Sequence, residues 1–150
     1  MTERERSAIQ GRALLLYDGV CALCNGVVRL LLRHDRADRL RYAALQSDVG
    51  QETLARLGDA SFPDGVVLLT DALTAEERVY RRSDAVAQAL QLLGGGWRLL
   101  GRAMKLIPRR VREFAYGLVA RVRYRLFGRY PSCPLPPPEQ RGRLLGVVEP

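Results

Sequence analysis

Lysine is almost missing from this chain. Lys105 is the only one among 24 basic side chains, so the net charge of +8 rests on arginine. Histidine occurs once, at His34, and aromatic residues make up only 7% of the 150 positions. No stretch interleaves arginine with aromatics along a strand, as base-stacking platforms require, so nucleic acid is not an expected partner. Long apolar runs are missing too. The densest, residues 27–32, is interrupted by Arg29 and falls far short of the roughly 20 residues of a membrane span. Residues 1–10 are polar and charged, without the apolar stretch of a secretory signal. These absences lead us to expect a soluble, cytoplasmic protein. Three cysteines in such a reducing setting argue against a structural disulfide framework and toward redox chemistry or metal binding.

What is present fits one globular domain: 47% of residues are apolar, enough to build a core. Residues 1–11 read as a flexible polar arm. Ala13-Leu14-Leu15-Leu16-Tyr17, closed by Asp18-Gly19, has the pattern of a buried parallel strand ending in a turn. Val20, Leu23, Val27, Leu30 and Leu31 then recur at helical spacing up to about Arg33. Residues 40–45 predict a second strand, and Ser47 caps a helix that ends at Gly58. Phe62-Pro63-Asp64-Gly65 reads as a turn, residues 66–70 and 77–81 as a hairpin, and residues 84–93 as a helix capped by Ser83. Gly94-Gly95-Gly96 stops it. Residues 97–107 and 109–127 predict two more helices divided at Pro108, the second with Val111, Phe114, Ala115, Leu118, Val122 and Leu126 on one side. Five prolines between positions 131 and 138 predict an extended strap that embeds Cys133. The order βαβα, then ββα, matches an α/β chain with a thioredoxin-like core. It divides into an arm (1–11), the core (12–93), a C-terminal helical extension (94–130) and a proline-rich tail (131–150).

The chemistry concentrates at Cys21-Ala22-Leu23-Cys24, where a strand gives way to a helix. Two cysteines three apart on a first helical turn bring their sulfurs close to unpaired backbone N–H groups and the positive end of the helix dipole, which stabilise a thiolate. On that logic Cys21 attacks and Cys24 resolves the mixed disulfide. The same spacing also serves as half a zinc site. Such a site needs two further ligands, and only Cys133 and His34 are available. Asp18, three residues ahead of Cys21, reads either as a proton acceptor for the resolving thiol or as turn and N-cap chemistry. His34, at a helix C-terminus, suits a charge–dipole or solvent role. Cys133 reads as packing or as a third redox thiol.

The string Tyr17-Asp18-Gly19-Val20-Cys21-Ala22-Leu23-Cys24-Asn25 resembles the signature of the DCC family, thiol-disulfide oxidoreductase-like proteins named for that Asp and two Cys. Ser83-Asp84-Ala85, Trp97-Arg98-Leu99-Leu100, Ile107-Pro108, Tyr116, Arg123-Tyr124, Cys133-Pro134-Leu135-Pro136 and residues 141–145 look like that family as well, so the likeness runs from about Leu14 to Leu145. It implies a thioredoxin-like fold and an activity carried by the dithiol. Two features depart from ordinary thioredoxins: Ala-Leu replaces Gly-Pro between the cysteines, and Pro63 is the nearest candidate for their cis-proline.

The expected protein is a thiol-disulfide oxidoreductase with catalytic Cys21, Cys24 and Asp18, needing no cofactor and no metal. Its partners would be a thiol- or disulfide-bearing protein or small molecule, together with an external electron donor. Two alternatives stand beside it. One is thiol-based metal handling. The other is a non-catalytic basic module that meets an anionic membrane face or an acidic partner through the basic helix 109–129 and the proline-rich strap, with Arg109, Arg110, Arg112, Arg121, Arg123, Arg125 and Arg129 spread around the helix.

Overall fold

The computed structural model describes residues 1–58, 65–131 and 138–146. The expected turn around Pro63 and the strap holding Cys133 lie outside the described residues. Strand β1 (Ala13–Tyr17) is buried along its whole length and pairs in parallel with β2 (Leu40–Ala44). The crossover between them is helix α2 (Ala22–His34). Strands β3 (Val67–Thr70) and β4 (Arg78–Arg81) form the expected hairpin, and β3 runs antiparallel to β1. The sheet order is β4-β3-β1-β2-β5, a thioredoxin-like arrangement with one strand, β5 (Leu144–Leu145), added in parallel at the β2 edge.

The two-residue period of the strands splits the core into two clusters. Leu15, Tyr17, Tyr42 and Leu68 face α2 and α4 (Arg82–Leu93). Leu14, Leu16, Val67 and Leu69 face the opposite side, where Val49 and Leu54 of α3 (Asp48–Arg56) cover them. Ser47 caps α3 as expected, its hydroxyl accepting the Gly50 N–H at 3.1 Å. Helix α3 approaches β2 so closely that a Cβ on Gly50 would sit 2.3 Å from the Ala44 carbonyl oxygen.

Three sequence expectations are corrected. Residues 1–11 are not simply an arm, because Glu3–Ile9 form helix α1. Thr2 and Glu5 build a reciprocal capping box, and Ile9 is fully buried in the α3-side cluster. Ser83 does not cap α4. It lies inside the first turn, buried, with its hydroxyl donating to Glu113. The glycines stop α4 at Leu93 as expected, but Gly94 alone is the break, so α5 (Gly95–Leu106) starts two residues earlier than predicted.

Helix α6 (Arg109–Phe127) follows Pro108 as expected. It is pinned to the sheet by Tyr116, whose hydroxyl accepts the Val66 N–H at 3.0 Å. Gly65 makes that contact feasible: its φ is +113°, and a Cβ there would overlap the Tyr116 ring.

Candidate active site

At the end of β1 the chain turns sharply into α2. The Cys21 N–H donates to the Asp18 carbonyl at 3.2 Å, and the Val20 N–H to Asp18 Oδ1 at 3.2 Å. Asn25 fastens the turn from within the helix, its Nδ2 donating to the carbonyls of Gly19 (2.8 Å) and Cys21 (2.9 Å). Cys21 is the N-cap residue, and its Sγ accepts the Cys24 N–H at 3.3 Å. A sulfur therefore takes the place an oxygen usually holds at a helix start, where negative charge is best stabilised.

Asp18, buried at the strand end, is where the charges converge. Its carboxylate accepts from Gln46 Nε2 at 2.7 Å and from the Tyr124 hydroxyl, and pairs with Arg123 Nη2 at 3.3 Å. Burial works to raise its pKa. The hydrogen bonds from Tyr124, Gln46 and Val20, with the Arg123 charge, outweigh burial and hold it below the usual carboxylate value. Arg123 reaches onward, placing Nη1 3.8 Å from Cys24 Sγ. Burial first, then the hydrogen bond and charge of Cys21, push the Cys24 thiol up to about 12 despite the guanidinium beside it. Tyr124 is likewise pushed up to about 12, by burial and by its bond to Asp18. The arrangement holds an ionised carboxylate, a guanidinium and a protonated Cys24 in one buried chain.

Two features control access. Residues 128–130, just after α6, lie across the cysteine turn. Ala22 N–H donates to the Gly128 carbonyl (3.3 Å), Tyr130 N–H to the Val20 carbonyl (2.7 Å), and Cys21 bridges Arg129. Cys21 is fully covered as a result. Cys24 instead lines a cavity of about 390 Å³ between α2, α4 and α6, walled by Leu23, Val27, Val86, Met104 and Val119. Arg123 lines it too, and its Nε has no hydrogen-bond partner among the described residues.

The structure thus brings Cys21, Cys24 and Asp18 together. His34 sits at the other end of α2, its Nδ1 2.8 Å from the Leu30 carbonyl and its ring against Trp97. Cys133 is outside the described residues. Among the described residues no three His, Cys, Asp or Glu side chains gather as a metal cluster would. Sequence reasoning placed Arg123 only among the basic residues of its helix, and gave Tyr124, Gln46 and Asn25 no role at the site. One signal was available: Arg112, Tyr116 and Arg123 fall at helical spacing on one face of α6, the face that meets the domain.

A thioredoxin-like sheet with a dithiol at the start of its first crossover helix defines a thioredoxin-like dithiol protein. Within that class, the model of the DCC1-like thiol-disulfide oxidoreductase family matches residues 15–129, and the chain belongs to this family. It is similar to a chloroplastic DCC family protein of Arabidopsis thaliana, 39% identical over 124 residues, covering 83% of this chain and 70% of that one. It is also similar to the protein YuxK of Bacillus subtilis (strain 168), 35% identical over 133 residues, covering 88% and 93% of the two chains. No solved structure matches it.

Proposed function

We propose that the protein reduces disulfides through a dithiol cycle in which Cys21 attacks and Cys24 resolves. The observation that carries this reading is the Cys24 N–H on Cys21 Sγ at the start of α2, in a chain of a thiol-disulfide oxidoreductase family. Cys21 thiolate attacks one sulfur of the substrate disulfide, forming a mixed disulfide and releasing the other as a thiolate. Cys24 then attacks Cys21 Sγ, yielding the intramolecular disulfide and the second substrate thiol. The substrate gains two electrons and two protons, and the dithiol loses them. An external thiol or dithiol reductant restores the reduced pair, with no cofactor bound to the protein. The setting we propose with this cycle is the cytoplasm, where such reductants keep thiols reduced.

Asp18 enters this scheme mainly through Arg123. A carboxylate held below its usual pKa is a weak base near neutrality, so the departing substrate thiolate is the better acceptor for the Cys24 proton. Asp18 holds the guanidinium against Cys24 Sγ, where it steadies the thiolate that must form there. The cavity beside Cys24 suits an apolar group next to the reacting sulfurs.

The decisive measurement is the equilibrium potential of the pair, with alkylation and mass mapping of each cysteine. A two-electron transition at or below the cytosolic glutathione poise, about −220 to −260 mV, that vanishes in Cys21→Ser is the expected result. Stoichiometric, tightly held zinc in the reduced protein, or no redox transition, would overturn the reading.

A further inference from the structure

Helix α6 is packed inside out. Toward the domain it turns Arg112, paired with Asp84 at 2.7 Å, Glu113, paired with Arg82 at 2.7 Å, and Arg123, paired with Asp18 at 3.3 Å. Toward water it turns Phe114 (75% exposed), Leu118 (54%) and Leu126 (70%). Helix α5 adds Leu99 (66%) and Leu106 (86%) to the exposed apolar residues of this helical pair. A helix of a soluble domain ordinarily buries its apolar stripe, and a large exposed one marks an interaction surface.

Charge says what kind. Residues 95–129 contain ten basic side chains and one acidic one, Glu113, whereas the whole chain carries only +8. The remainder is therefore slightly negative, and the single acid of the segment points inward. Arg110, Phe114, Leu118, Arg121 and Arg125 follow one another at three- and four-residue spacing, so arginines and apolar residues share one exposed face. Arg110, Arg121 and Arg125 have no charged partner among the described residues.

We propose that this face of α5 and α6 docks on an anionic phospholipid bilayer. The helices lie in the interface, Phe114, Leu118 and Leu106 enter the acyl boundary, and the arginines meet lipid phosphates. A second copy of the chain fits poorly, since it would bring like charges face to face. A bilayer offers both required layers side by side, hydrocarbon and phosphate. The cavity beside Cys24 shares Ile107, Val111 and Val119 with this exposed surface, so docking sets the dithiol cavity next to the membrane.

The test is sedimentation of the full chain with vesicles of phosphatidylcholine alone or of phosphatidylcholine and phosphatidylglycerol in equal parts. Binding to the anionic vesicles only, weakened by salt, is expected. Each arginine near an anionic surface is worth about a fivefold change in partition, so R110A/R121A/R125A should bind about a hundredfold more weakly. F114S/L118S should also lose binding, and both variants should keep the wild-type melting temperature because the changed side chains are exposed. C21S/C24S should bind like the wild type, which separates this proposal from the thiol chemistry. Failure of the wild type to bind anionic vesicles, equal binding to both vesicle types, or a stable dimer in solution broken by F114S/L118S would each overturn it.

Discussion

At the scale of single residues, the buried carboxylate of Asp18 couples stability to the redox centre. It receives Gln46, Tyr124 and the Val20 N–H and is ion-paired with Arg123, so its charged form belongs to the folded state. Asp18→Asn leaves a buried guanidinium uncompensated and should cost about 3 kcal/mol, lowering Tm by about 10 °C, which calorimetry would measure. The pH dependence has a fixed sign. Because the folded pKa lies below the unfolded one, the unfolded chain binds more protons as pH falls. Asp18 thus contributes fully above about pH 4, and its contribution is lost as pH falls through the depressed folded value. Urea titrations of wild type and Asp18→Asn should converge in acid. Cys24, pushed up to about 12, should stay a thiol at neutral pH, so mass mapping after brief alkylation at pH 7 should find it unmodified, with Cys21 reacting only as its cover opens. The sequence made the three members of Asp18, Cys21 and Cys24 visible because they lie within seven positions of one turn. Arg123 and Tyr124 reach the same site from about a hundred residues away, and helical spacing marks a face of α6 without saying which turn that face meets.

At the scale of elements, the segment 128–130 acts as a cover held by two backbone hydrogen bonds to the cysteine turn. Tyr130→Pro deletes one of those donors. Loss of about 1 kcal/mol from the closed state should raise the rate of Cys21 modification by about fivefold, followed by timed alkylation and peptide mapping. Helix α1 offers a second check. Ile9→Ala empties a fully buried site in the α3-side cluster and should cost about 2–4 kcal/mol in chemical denaturation, without altering the redox potential. Strands β1 to β4 and helices α2 to α6 were legible because each has a period, a cap or a breaker of its own. Helix α1 was missed although Thr2 and Glu5 have the spacing of a capping box, since Ala8 and Ile9 are adjacent and make no stripe. Strand β5 has two residues, too few to alternate. The periodicity of α6 was read correctly, but periodicity gives a face and not the direction it points. Salt bridges to Asp84, Arg82 and Asp18 decided that direction.

At the scale of the molecule, charge and polarity divide the chain into two parts with different tasks. The sheet with α1 to α4 is a slightly acidic, well-buried domain, and the basic helical pair α5–α6 is laid over one side of it. Ion pairs of α6 with Asp84 and Asp18 join the two, and Asp18 belongs to the site itself. Whatever α6 binds is therefore one ion pair away from the dithiol. The redox potential measured with and without anionic vesicles is a direct readout of that coupling.

The edge strand β5 has a consequence for how the protein is made. Tyr42 pairs with Leu144, so the sheet closes only when segments separated by about a hundred residues meet, a contact of high order that folds slowly. Synthesis proceeds from the N-terminus, and until Leu144 and Leu145 leave the ribosome the outer edge of β2 stands open. The nascent chain has its cysteine turn complete long before the residues that cover it exist. During that interval Cys21 lacks its cover, and the newborn protein is at its most vulnerable to oxidants and to stray disulfide partners.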